Sequence, residues 1–471
     1  MRQARRDFMR ATALGAGAVL SGGCFGLARS GAARRKGAVE KLRVALVGAG
    51  GSGQVNGQAV CEAGAEIVAL CDVDEGALLA ARERLAGRCP QVKLYKDFRV
   101  LLDAERAVDA VFVSTPDHGH MVQAAWALER GCSVYIEPPL VRALGEVRVL
   151  QEKAKRSGRV VQLGNQGSAK PEFRRALEIL ATGVIGEVEE IHAWTNRPVW
   201  PQGISRPEGS DPVPVGLDWD LWLGSASPRP FKSKVYHRFN WRGWHDFGTG
   251  ALGDAGCHLL NLPARALGLA APVTVEAEDC TERFAETYVK SSRVRYEFAP
   301  RGKSPGVLAL WYDGGWRPEP EVMPQVVAAF GRVPDAGCLL VGKNGVWFVA
   351  DDLGLRHYLA LRGEERVRDF EKHEACEAAA LVLPRVRSQQ EEFLDAVRNG
   401  ARPFSDLRHA VPLTECVLTG CVAQRVSGRL TWNSGKGRFE NSEEANRLVE
   451  PFCREGWALA DGGRRERGLW P

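Results

Sequence analysis

The stretch that decides the fold of this chain reads LRVALVGAGGSG and occupies residues 42–53. Its apolar residues 42–47 predict a short β-strand, and the Gly-x-Gly-x-x-Gly pattern that follows predicts a tight turn into a helix. In such a turn Gly48 permits the sharp change of direction and Gly50 lets the backbone approach a pyrophosphate. Gly53 lets the new helix pack closely against the strand. The pattern therefore predicts a phosphate-binding turn of the dinucleotide type.

The residues on either side of this turn favour one dinucleotide. Gly51 and Ser52 would open the helix, where backbone N–H groups lack partners within the helix and can bind phosphate. A second apolar strand ends at Asp72, about 20 residues past the turn, where a carboxylate can accept a hydrogen bond from a ribose 2′-hydroxyl. The same carboxylate would repel a 2′-phosphate. The sequence therefore predicts NAD rather than NADP as the cofactor.

Strands and helices continue to alternate up to about residue 165, which predicts an α/β fold with a doubly wound parallel sheet. Ligands of such sheets lie beyond the carboxyl ends of the strands. Four further strands are predicted, over residues 92–95, 108–113, 133–136 and 160–163. Residues that follow the last three, or that lie just beyond, are predicted to surround the cofactor: Ser114, Thr115, Pro116, Asp117, His120, Glu137 and Gln166.

The first 39 residues predict an exported protein. They hold Arg5 and Arg6, then an apolar run over residues 11–20 that is too short to span a bilayer. This order is typical of a twin-arginine signal and a linker, and Cys24 adds a loose match to a lipid-attachment site. Twin-arginine export carries folded proteins, so the periplasmic protein would acquire its nucleotide before export and hold it tightly.

Charge and composition exclude several classes of protein. The chain carries a net charge of +5, but residues 1–39 contain eight basic residues against the single acid Asp7, so the remainder is mildly acidic. Without a basic stripe, nucleic acid is not an expected partner. The 12 cysteines include no Cys-x-x-Cys and predict buried free thiols. The sequence contains no run of about 18 apolar residues, so no membrane span is predicted. His118 and His120 have no further ligand residues near them in sequence, so no metal site is predicted.

The order of these motifs carries a family resemblance. Asp72 follows the glycine turn, Ser-Thr-Pro-Asp-His-Gly-His begins at Ser114, Glu-x-Pro begins at Glu137, and Gly-Asn-Gln ends at Gln166. The chain resembles the Gfo/Idh/MocA oxidoreductases, the group of glucose–fructose oxidoreductase and inositol dehydrogenase, in a secreted twin-arginine branch. The motif Gly-Thr-Gly-Ala-Leu-Gly-Asp at 248–254 extends the resemblance.

The resemblance implies two domains, a Rossmann domain over residues 40–165 and a substrate domain over residues 166–471. The second would be an α+β unit with a large, open, mainly antiparallel sheet, followed by C-terminal helices and a tail. A sugar substrate would lie between that sheet and the nicotinamide, and sheet packing would form a homo-oligomer. The residues themselves predict a hairpin around Lys343, Asn344 and Gly345.

Asp254 and His258 are the candidate catalytic residues. They are four positions apart, so on a helix they share one face. A dehydrogenase needs a base to remove the hydroxyl proton of its substrate, and imidazole has a suitable pKa. In the resembling family an Asp-x-x-x-His pair supplies substrate contacts and proton transfer, which implies these roles for Asp254 and His258.

One position departs from the family pattern. The family typically has Glu-Lys-Pro where this chain has Glu137-Pro138-Pro139, and proline cannot supply the lysine's charge or its donor. Three interpretations follow. His258 serves as the base, alone or with His245 or Tyr236; the enzyme uses another NAD-dependent chemistry; or the site binds without turnover.

Aromatic residues dominate the predicted substrate side. Six of the 13 tryptophans fall between residues 194 and 244, and indole faces pack well on the C–H faces of sugars. Trp219 and Trp222 are expected in the core. The predicted substrate-binding residues are Trp194, Asn196, Arg197, Trp200, Tyr236, Trp244 and His245.

The sequence thus predicts an exported NAD-dependent oxidoreductase acting on a secondary hydroxyl of a sugar, sugar derivative or polyol. Two alternatives stay open. One is an NAD-dependent glycoside hydrolase that oxidises its sugar transiently, eliminates the substituent and returns the hydride. The other is a sugar- and NAD-binding protein without activity.

Overall fold

The computed structural model describes residues 41–302 and 304–457. The predicted export signal, its linker and Cys24 lie outside these residues, as does the end of the tail.

A six-stranded parallel sheet forms the first part of the fold. Its order is β3-β2-β1-β4-β5-β6, so strands are added toward one edge from β1 to β3 and toward the other edge from β4 to β6, and the switch falls between the parallel neighbours β1 and β4. The strands are β1 (Arg43–Val47), β2 (Glu66–Cys71), β3 (Lys93–Tyr95), β4 (Ala110–Val113), β5 (Ser133–Ile136) and β6 (Val161–Leu163). The connecting helices are α1 (Gly51–Glu62), α2 (Glu75–Leu85), α3 (Phe98–Ala104), α4 (Asp117–Glu129) and α5 (Leu144–Ser157).

Burial explains the uninterrupted apolar strands of this sheet. Every residue of β4 and β5 is buried, as expected for strands covered by helices on both faces. The helices begin where side chains accept free backbone N–H groups: Asp74 accepts those of Gly76 and Ala77 at α2, and Asp97 accepts that of Arg99 at α3. The predicted doubly wound parallel sheet is confirmed.

A ten-stranded sheet forms the second part. Its order is β14-β13-β12-β11-β7-β10-β9-β8-β15-β16. Of its described pairs only β7 with β10 is parallel, which confirms the predicted large and mainly antiparallel sheet. The strands are β7 (Val188–Trp194), β8 (Thr274–Cys280), β9 (Ser292–Phe298), β10 (Val307–Tyr312), β11 (Gly337–Gly342), β12 (Gly345–Val349), β13 (His357–Leu361), β14 (Arg368–Asp369), β15 (Leu430–Asn433) and β16 (Arg438–Phe439).

Helices accompany this second sheet. They are α6 (Pro171–Leu180), α7 (Trp219–Leu223), α8 (Gly250–Leu259), α9 (Asn261–Leu267), α10 (Pro324–Phe330), α11 (Gln389–Asn399), α12 (Leu407–Ala423) and α13 (Glu443–Asn446). Short 3₁₀ turns occupy Gln166–Ala169, Asn240–Gly243, Pro320–Val322, Phe370–Lys372 and Glu374–Cys376.

Glycines let α8 and α12 pack closely against each other and against the sheet. A Cβ at Gly256 of α8 would lie 2.9 Å from Val417 Cγ1 of α12. A Cβ at Gly420 of α12 would lie 2.5 Å from Leu252 Cδ2 of α8 and would also meet the Tyr296 hydroxyl. This close packing fixes α8, which carries Asp254 and His258.

The largest apolar cluster includes side chains from both sheets. It runs from Val113 of β4 through Leu252 of α8 and Val417 of α12 to Trp311 of β10. Because one cluster crosses residue 165, the predicted boundary between residues 40–165 and 166–471 stays a prediction.

The described cysteines are all free thiols, and most are buried. Among the described residues, no helix combines the length and the apolar character needed to cross a bilayer.

Candidate active site

A cavity of about 670 Å³ lies at the carboxyl ends of the parallel strands. One wall comes from the glycine turn and the ends of β1, β2, β4 and β5. The other comes from α8 and from segments that follow β7 and β12. The cavity therefore brings together residues from both sheets.

The glycine turn has the geometry that a pyrophosphate requires. Gly48 has a φ of 90°, and a Cβ there would lie 2.4 Å from the Ser114 carbonyl oxygen. A Cβ at Gly53 would lie 1.9 Å from the Gly48 carbonyl oxygen, so only glycine allows α1 to begin this close to β1. Gly51 and Ser52 are exposed at the start of α1 and line the cavity. The turn fits a dinucleotide.

Asp72 lies at the end of β2, between the turn and α2. Its Oδ2 accepts the Ala49 N–H at 2.8 Å and its Oδ1 accepts the Asp74 N–H at 3.0 Å. Burial raises the pKa of Asp72, and these two backbone donors oppose the rise. The carboxylate thus braces the turn while it lines the cavity, where its remaining lone pairs can accept ribose hydroxyls.

Glu137 and Pro138 lie at the end of β5. Asn56 Nδ2 donates to Glu137 Oε1 at 2.8 Å, and Gln166 Nε2 donates to Oε2 at 3.2 Å. Burial raises the pKa of Glu137 to about 7. Gln390 Nε2 donates to Asn56 Oδ1 at 2.7 Å. These side chains form a hydrogen-bond network that the sequence did not indicate.

Ser114, Thr115, Pro116 and Gln166 line the same cavity, as predicted for the strand ends. His120 does not line it, so its expected cofactor contact is corrected. The His120 ring is fully buried, with Nε2 at 2.9 Å from the Thr115 carbonyl oxygen and Nδ1 at 2.9 Å from that of Pro139. The ring thus links the turn after β4 to the turn after β5.

Asp254 and His258 both line the cavity from α8. Asp254 accepts Arg197 Nη1 at 3.3 Å and Arg242 Nε at 3.0 Å, and Arg197 Nη2 also lies 3.4 Å from Asp352 Oδ2. The two carboxylates and two guanidinium groups balance in charge. The arrangement offers fixed donors and acceptors to the hydroxyls of a ligand.

The His258 ring is half-buried, and within the described residues no hydrogen bond engages its nitrogens. Burial lowers the pKa of His258, and the nearby Asp254 and Asp352 oppose the decrease. A neutral imidazole with an available nitrogen can accept a proton.

Most of the predicted aromatic substrate contacts are corrected. Trp194, Tyr236 and Trp244 are almost completely buried. Trp194 stacks on Phe348 at 5.8 Å, whereas Tyr236 and Trp244 pack on each other at 4.9 Å. The indole N–H groups of Trp194 and Trp244 donate to backbone carbonyl oxygens, at 2.8 and 3.0 Å, and so do not face a substrate.

The other corrections concern residues 196, 200 and 245. Asn196 is exposed and Trp200 is buried with its Nε1 donating to Gln202, and neither lines the cavity. His245 lines separate cavities. Arg197 is the predicted substrate residue that does line this cavity, together with Trp222, which was expected only in the core.

Sequence reasoning missed several charged residues of the cavity. Arg238, Arg242 and Asp352 come from segments far along the chain and match no motif. Asp117, which directly follows the strand-end turn, lines the cavity as predicted; Thr249 Oγ1 donates to its carboxylate at 2.7 Å, and burial raises its pKa to about 7.

A segment over residues 216–242, here called the strap, lies beside the turn that holds Asp72. Its backbone bonds the start of α2, with Glu75 N–H donating to the Gly216 oxygen at 3.0 Å and Asp218 N–H donating to the Val73 oxygen at 2.9 Å. Arg238 Nη2 lies 2.9 Å from Asp74 Oδ2. The strap thereby closes one side of the dinucleotide end of the cavity.

Comparison with known families agrees with this geometry. Residues 42–165 match the model described as oxidoreductase family, NAD-binding Rossmann fold, and residues 187–303 match its C-terminal alpha/beta domain. The chain belongs to the Gfo/Idh/MocA oxidoreductase family, and its N-terminal region is an NAD-binding Rossmann domain.

Curated relatives match mainly this region. Inositol 2-dehydrogenase 1 of Saccharopolyspora erythraea is 31% identical over 154 residues, which cover 32% of this chain and 44% of the relative. The rhizopine catabolism protein MocA of Rhizobium meliloti is 28% identical over 199 residues, 41% of this chain and 60% of the relative. The chain thus spans less than two thirds of the length of these relatives.

Solved structures share the whole fold at low identity. The WlbA dehydrogenase of Bordetella pertussis, in complex with NADH and UDP-GlcNAcA, has a TM-score of 0.57 and 15% identity over 84% of this chain and 99% of that one. An inositol dehydrogenase homologue of Azotobacter vinelandii, with NADH and myo-inositol, has a TM-score of 0.54 and 19% identity over 84% and 98%.

Proposed function

We propose that this protein is an NAD-dependent dehydrogenase that acts on a secondary hydroxyl of a sugar, sugar derivative or polyol. The observation that carries the proposal is His258, whose ring has no protein partner among the described residues and lines the same cavity as the glycine turn and Glu137. The inositol dehydrogenases among the relatives support the substrate class.

The residues that would hold the cofactor follow from the cavity. The glycine turn and the start of α1 would bind the pyrophosphate, Asp72 the adenosine ribose, and the turns after β4 and β5 the nicotinamide half. NAD, when bound, supplies the hydride acceptor.

The chain's own residues would position the substrate and take its proton. Arg197 and Asp254 are held by ion pairs and can bind neighbouring hydroxyls in a fixed orientation. His258 accepts the proton of the reacting hydroxyl at a ring nitrogen. Lys96 is the only lysine along the described lining and lies near Asp97, away from Pro138, so His258 carries the base role that a lysine shares in the family.

The test is an absorbance scan of the purified protein with myo-inositol, free aldoses, uronic acids and aryl glycosides. We expect reduced nicotinamide to accumulate with a free sugar or polyol. His258→Ala should abolish this signal while NAD stays bound, and His409→Ala, which removes a histidine outside the cavity, should retain it. Wild-type turnover by His258→Ala would contradict the base assignment.

Pro138 favours a second candidate, the redox-neutral glycoside hydrolase. It lines the cavity at the position of the family lysine, which the resembling NAD-dependent glycosidases also lack. Release of an aglycone without lasting NADH would identify this chemistry. Saturable sugar binding with neither signal would identify a protein without activity.

We also propose that residues 1–39 direct export by the twin-arginine route to the periplasm. The support is the sequence order of Arg5, Arg6 and the apolar run. Periplasmic protein should disappear when Arg5→Lys and Arg6→Lys are combined, as judged by cell fractionation; unchanged export would contradict the proposal. Lipid attachment at Cys24 would appear as a mass increase that Cys24→Ser abolishes.

We also propose that the protein forms a homo-oligomer. The large open sheet supports it, because such a sheet presents a broad face to a second copy. Light scattering after gel filtration measures the mass directly, and a monomeric mass at assay concentrations would contradict it.

A further inference from the structure

A second cavity, of about 220 Å³, contains buried donor groups that the proposed dehydrogenase function does not use. It lies between the start of α5, the face of α12 and residues 447–452. Arg142, His245, Tyr288 and Arg425 line it. A neighbouring cavity of about 280 Å³ shares His245, Arg425 and Arg447 with it.

Two of these side chains have buried nitrogens without partners. His245 is 8% exposed, and its Nε2 has no hydrogen-bond partner, although its Nδ1 lies 3.2 Å from the Ala285 carbonyl oxygen. Arg142 Nη1 donates to the His245 carbonyl oxygen at 2.9 Å, while Arg142 Nε has no partner. Buried polar groups are normally satisfied, so orphaned atoms at one cavity indicate a missing ligand.

Arg425 adds a second positive charge. Within the described residues no hydrogen bond or ion pair reaches its guanidinium group. Burial lowers the pKa of Arg425, and Arg142 contributes to the decrease. Burial is the main cause that lowers the pKa of His245, and the guanidinium groups of Arg425 and Arg142 lower it further. Positive charge is therefore concentrated here, at a cost that an anion would remove.

The acids at this cavity offset that charge only in part. Asp246 pairs with Arg229, and Glu450 is exposed. Burial raises the pKa of Glu146, and the nearby Arg142 opposes the rise. Glu146 Oε2 accepts the backbone N–H groups of Arg142 and Ala143 at 2.9 and 3.0 Å, and its Oε1 has no hydrogen-bond partner. No carboxylate of the described residues lies within ion-pair distance of Arg142 or Arg425.

Tyr288 completes the set of donors. Its ring packs edge-on against His245 at 4.6 Å, and burial raises the pKa of its hydroxyl, which stays a donor. A water molecule occupies about 30 Å³ in the liquid, so the cavity has room for a five-atom oxyanion with a few waters and excludes a nucleotide. We propose that this cavity binds a small tetrahedral oxyanion of the phosphate class, held by the donors of Arg142, Arg425 and Tyr288, with His245 Nε2 accepting a hydrogen bond from a protonated oxygen of the ion or from a water.

The oxyanion site is separate from the dinucleotide cavity, though close to it. Cys421 lines the oxyanion site, and its Sγ donates to the Thr249 carbonyl oxygen at 3.2 Å, whereas the Thr249 hydroxyl bonds Asp117, which lines the dinucleotide cavity. Binding there needs neither NAD nor substrate, so its test is independent of the proposed dehydrogenase activity.

The experiment is calorimetric titration of the full chain with inorganic phosphate at constant ionic strength. We expect one saturable site that sulfate competes for. Arg425→Gln should weaken phosphate binding by about tenfold or more, because a charge-assisted hydrogen bond is lost. Arg366→Gln, which removes the same charge from an exposed residue, should leave binding unchanged.

The outcomes that overturn the proposal are equally concrete. Absence of saturation contradicts it, and so does equal weakening by Arg425→Gln and Arg366→Gln, which would mean nonspecific attraction. If Arg425→Gln fails to fold, Tyr288→Phe keeps the ring and should weaken binding severalfold. A crystal structure grown in phosphate should show the ion in this cavity, and a cavity without it would exclude the site.

Discussion

His258 illustrates how burial would adjust one residue for the proposed proton transfer. Its pKa is lowered from the ordinary value by burial, so the neutral form persists at a lower pH than for an exposed histidine. A base must be neutral to accept a proton, so with His258 as the proposed base, activity should be lost as the pH falls through this lowered pKa.

We expect kcat/KM for substrate oxidation to decline on the acid side with an apparent pKa below the usual value of about 6.5. His258→Asn should lower kcat by about 10²- to 10⁴-fold and remove that acid limb. The measurement is a pH profile with a saturating level of NAD. An acid limb that persists unchanged in the variant would assign the titration to another group.

Asp72 supports a prediction about cofactor affinity. Asp72→Ala removes both the brace on the glycine turn and the ribose acceptor, so NAD should bind at least about tenfold more weakly, as judged by fluorescence titration. Asp109→Ala is the matched control: its carboxylate accepts the Arg43 N–H at 2.9 Å at the opposite end of β1. Equal NAD affinity in the two variants would contradict the role of Asp72.

Residue roles were predictable where they follow from local chain order. A strand end and a glycine turn place their neighbours at one edge of a parallel sheet, so Asp72, Thr115 and Glu137 could be located from sequence. Arg242 and Asp352 could not, because only tertiary packing brings their loops to α8. Tryptophans such as Trp194 misled because an indole packs equally well in a core and on a sugar.

At the scale of elements, the contact between α8 and α12 determines where Asp254 and His258 lie. Gly420→Ala would insert a methyl group toward Leu252 and the Tyr296 hydroxyl. We expect a loss of about 1–3 kcal/mol in the free energy of unfolding from this overpacking.

Urea denaturation measures that loss, and Gly87→Ala provides the control, since nothing lies within 4 Å of a Cβ there. Gly420→Ala should also lower kcat, since α8 would shift with His258. A variant as stable as Gly87→Ala would show that the helices adjust without cost.

Elements with local signals were predicted better than those set by distant pairing. The hairpin around Asn344 joins β11 and β12 as expected, with Gly342 paired to Gly345. The order of ten strands, with β7 between β10 and β11, depends on pairings between segments more than 100 residues apart. No sequence period records such pairings, and only the family resemblance implied the sheet.

For the whole molecule, the response to acid depends on carboxylates that hold distant segments together. Glu178 of α6 accepts Arg385 Nη2 at 2.8 Å and the N–H groups of Val382 and Leu383, and the arginine lowers the pKa of Glu178 to about 2. A depressed carboxyl pKa stabilises the fold above the unfolded value, and this contribution is lost as the pH falls toward the folded value.

We expect Glu178→Gln to lower the free energy of unfolding by about 1–3 kcal/mol at pH 7, since glutamine keeps an acceptor oxygen but loses the charge. The difference from the wild type should shrink between about pH 4.5 and pH 2, as the wild-type carboxylate becomes protonated. Urea denaturation across this pH range tests it, with the exposed Glu371→Gln as control. A difference that is independent of pH would mean that Glu178 acts through packing alone.

We expect the strap to lengthen the residence time of the nucleotide. Its backbone bonds to Val73 and Glu75 and its Arg238 contact with Asp74 lie along the dinucleotide end of the cavity, where they would slow the release of a bound dinucleotide. NAD in this protein would then behave as a prosthetic group. A hydride taken from one molecule would have to be passed to a second molecule in the same cavity before the next turnover, so the steady-state rates would follow parallel lines in a double-reciprocal plot.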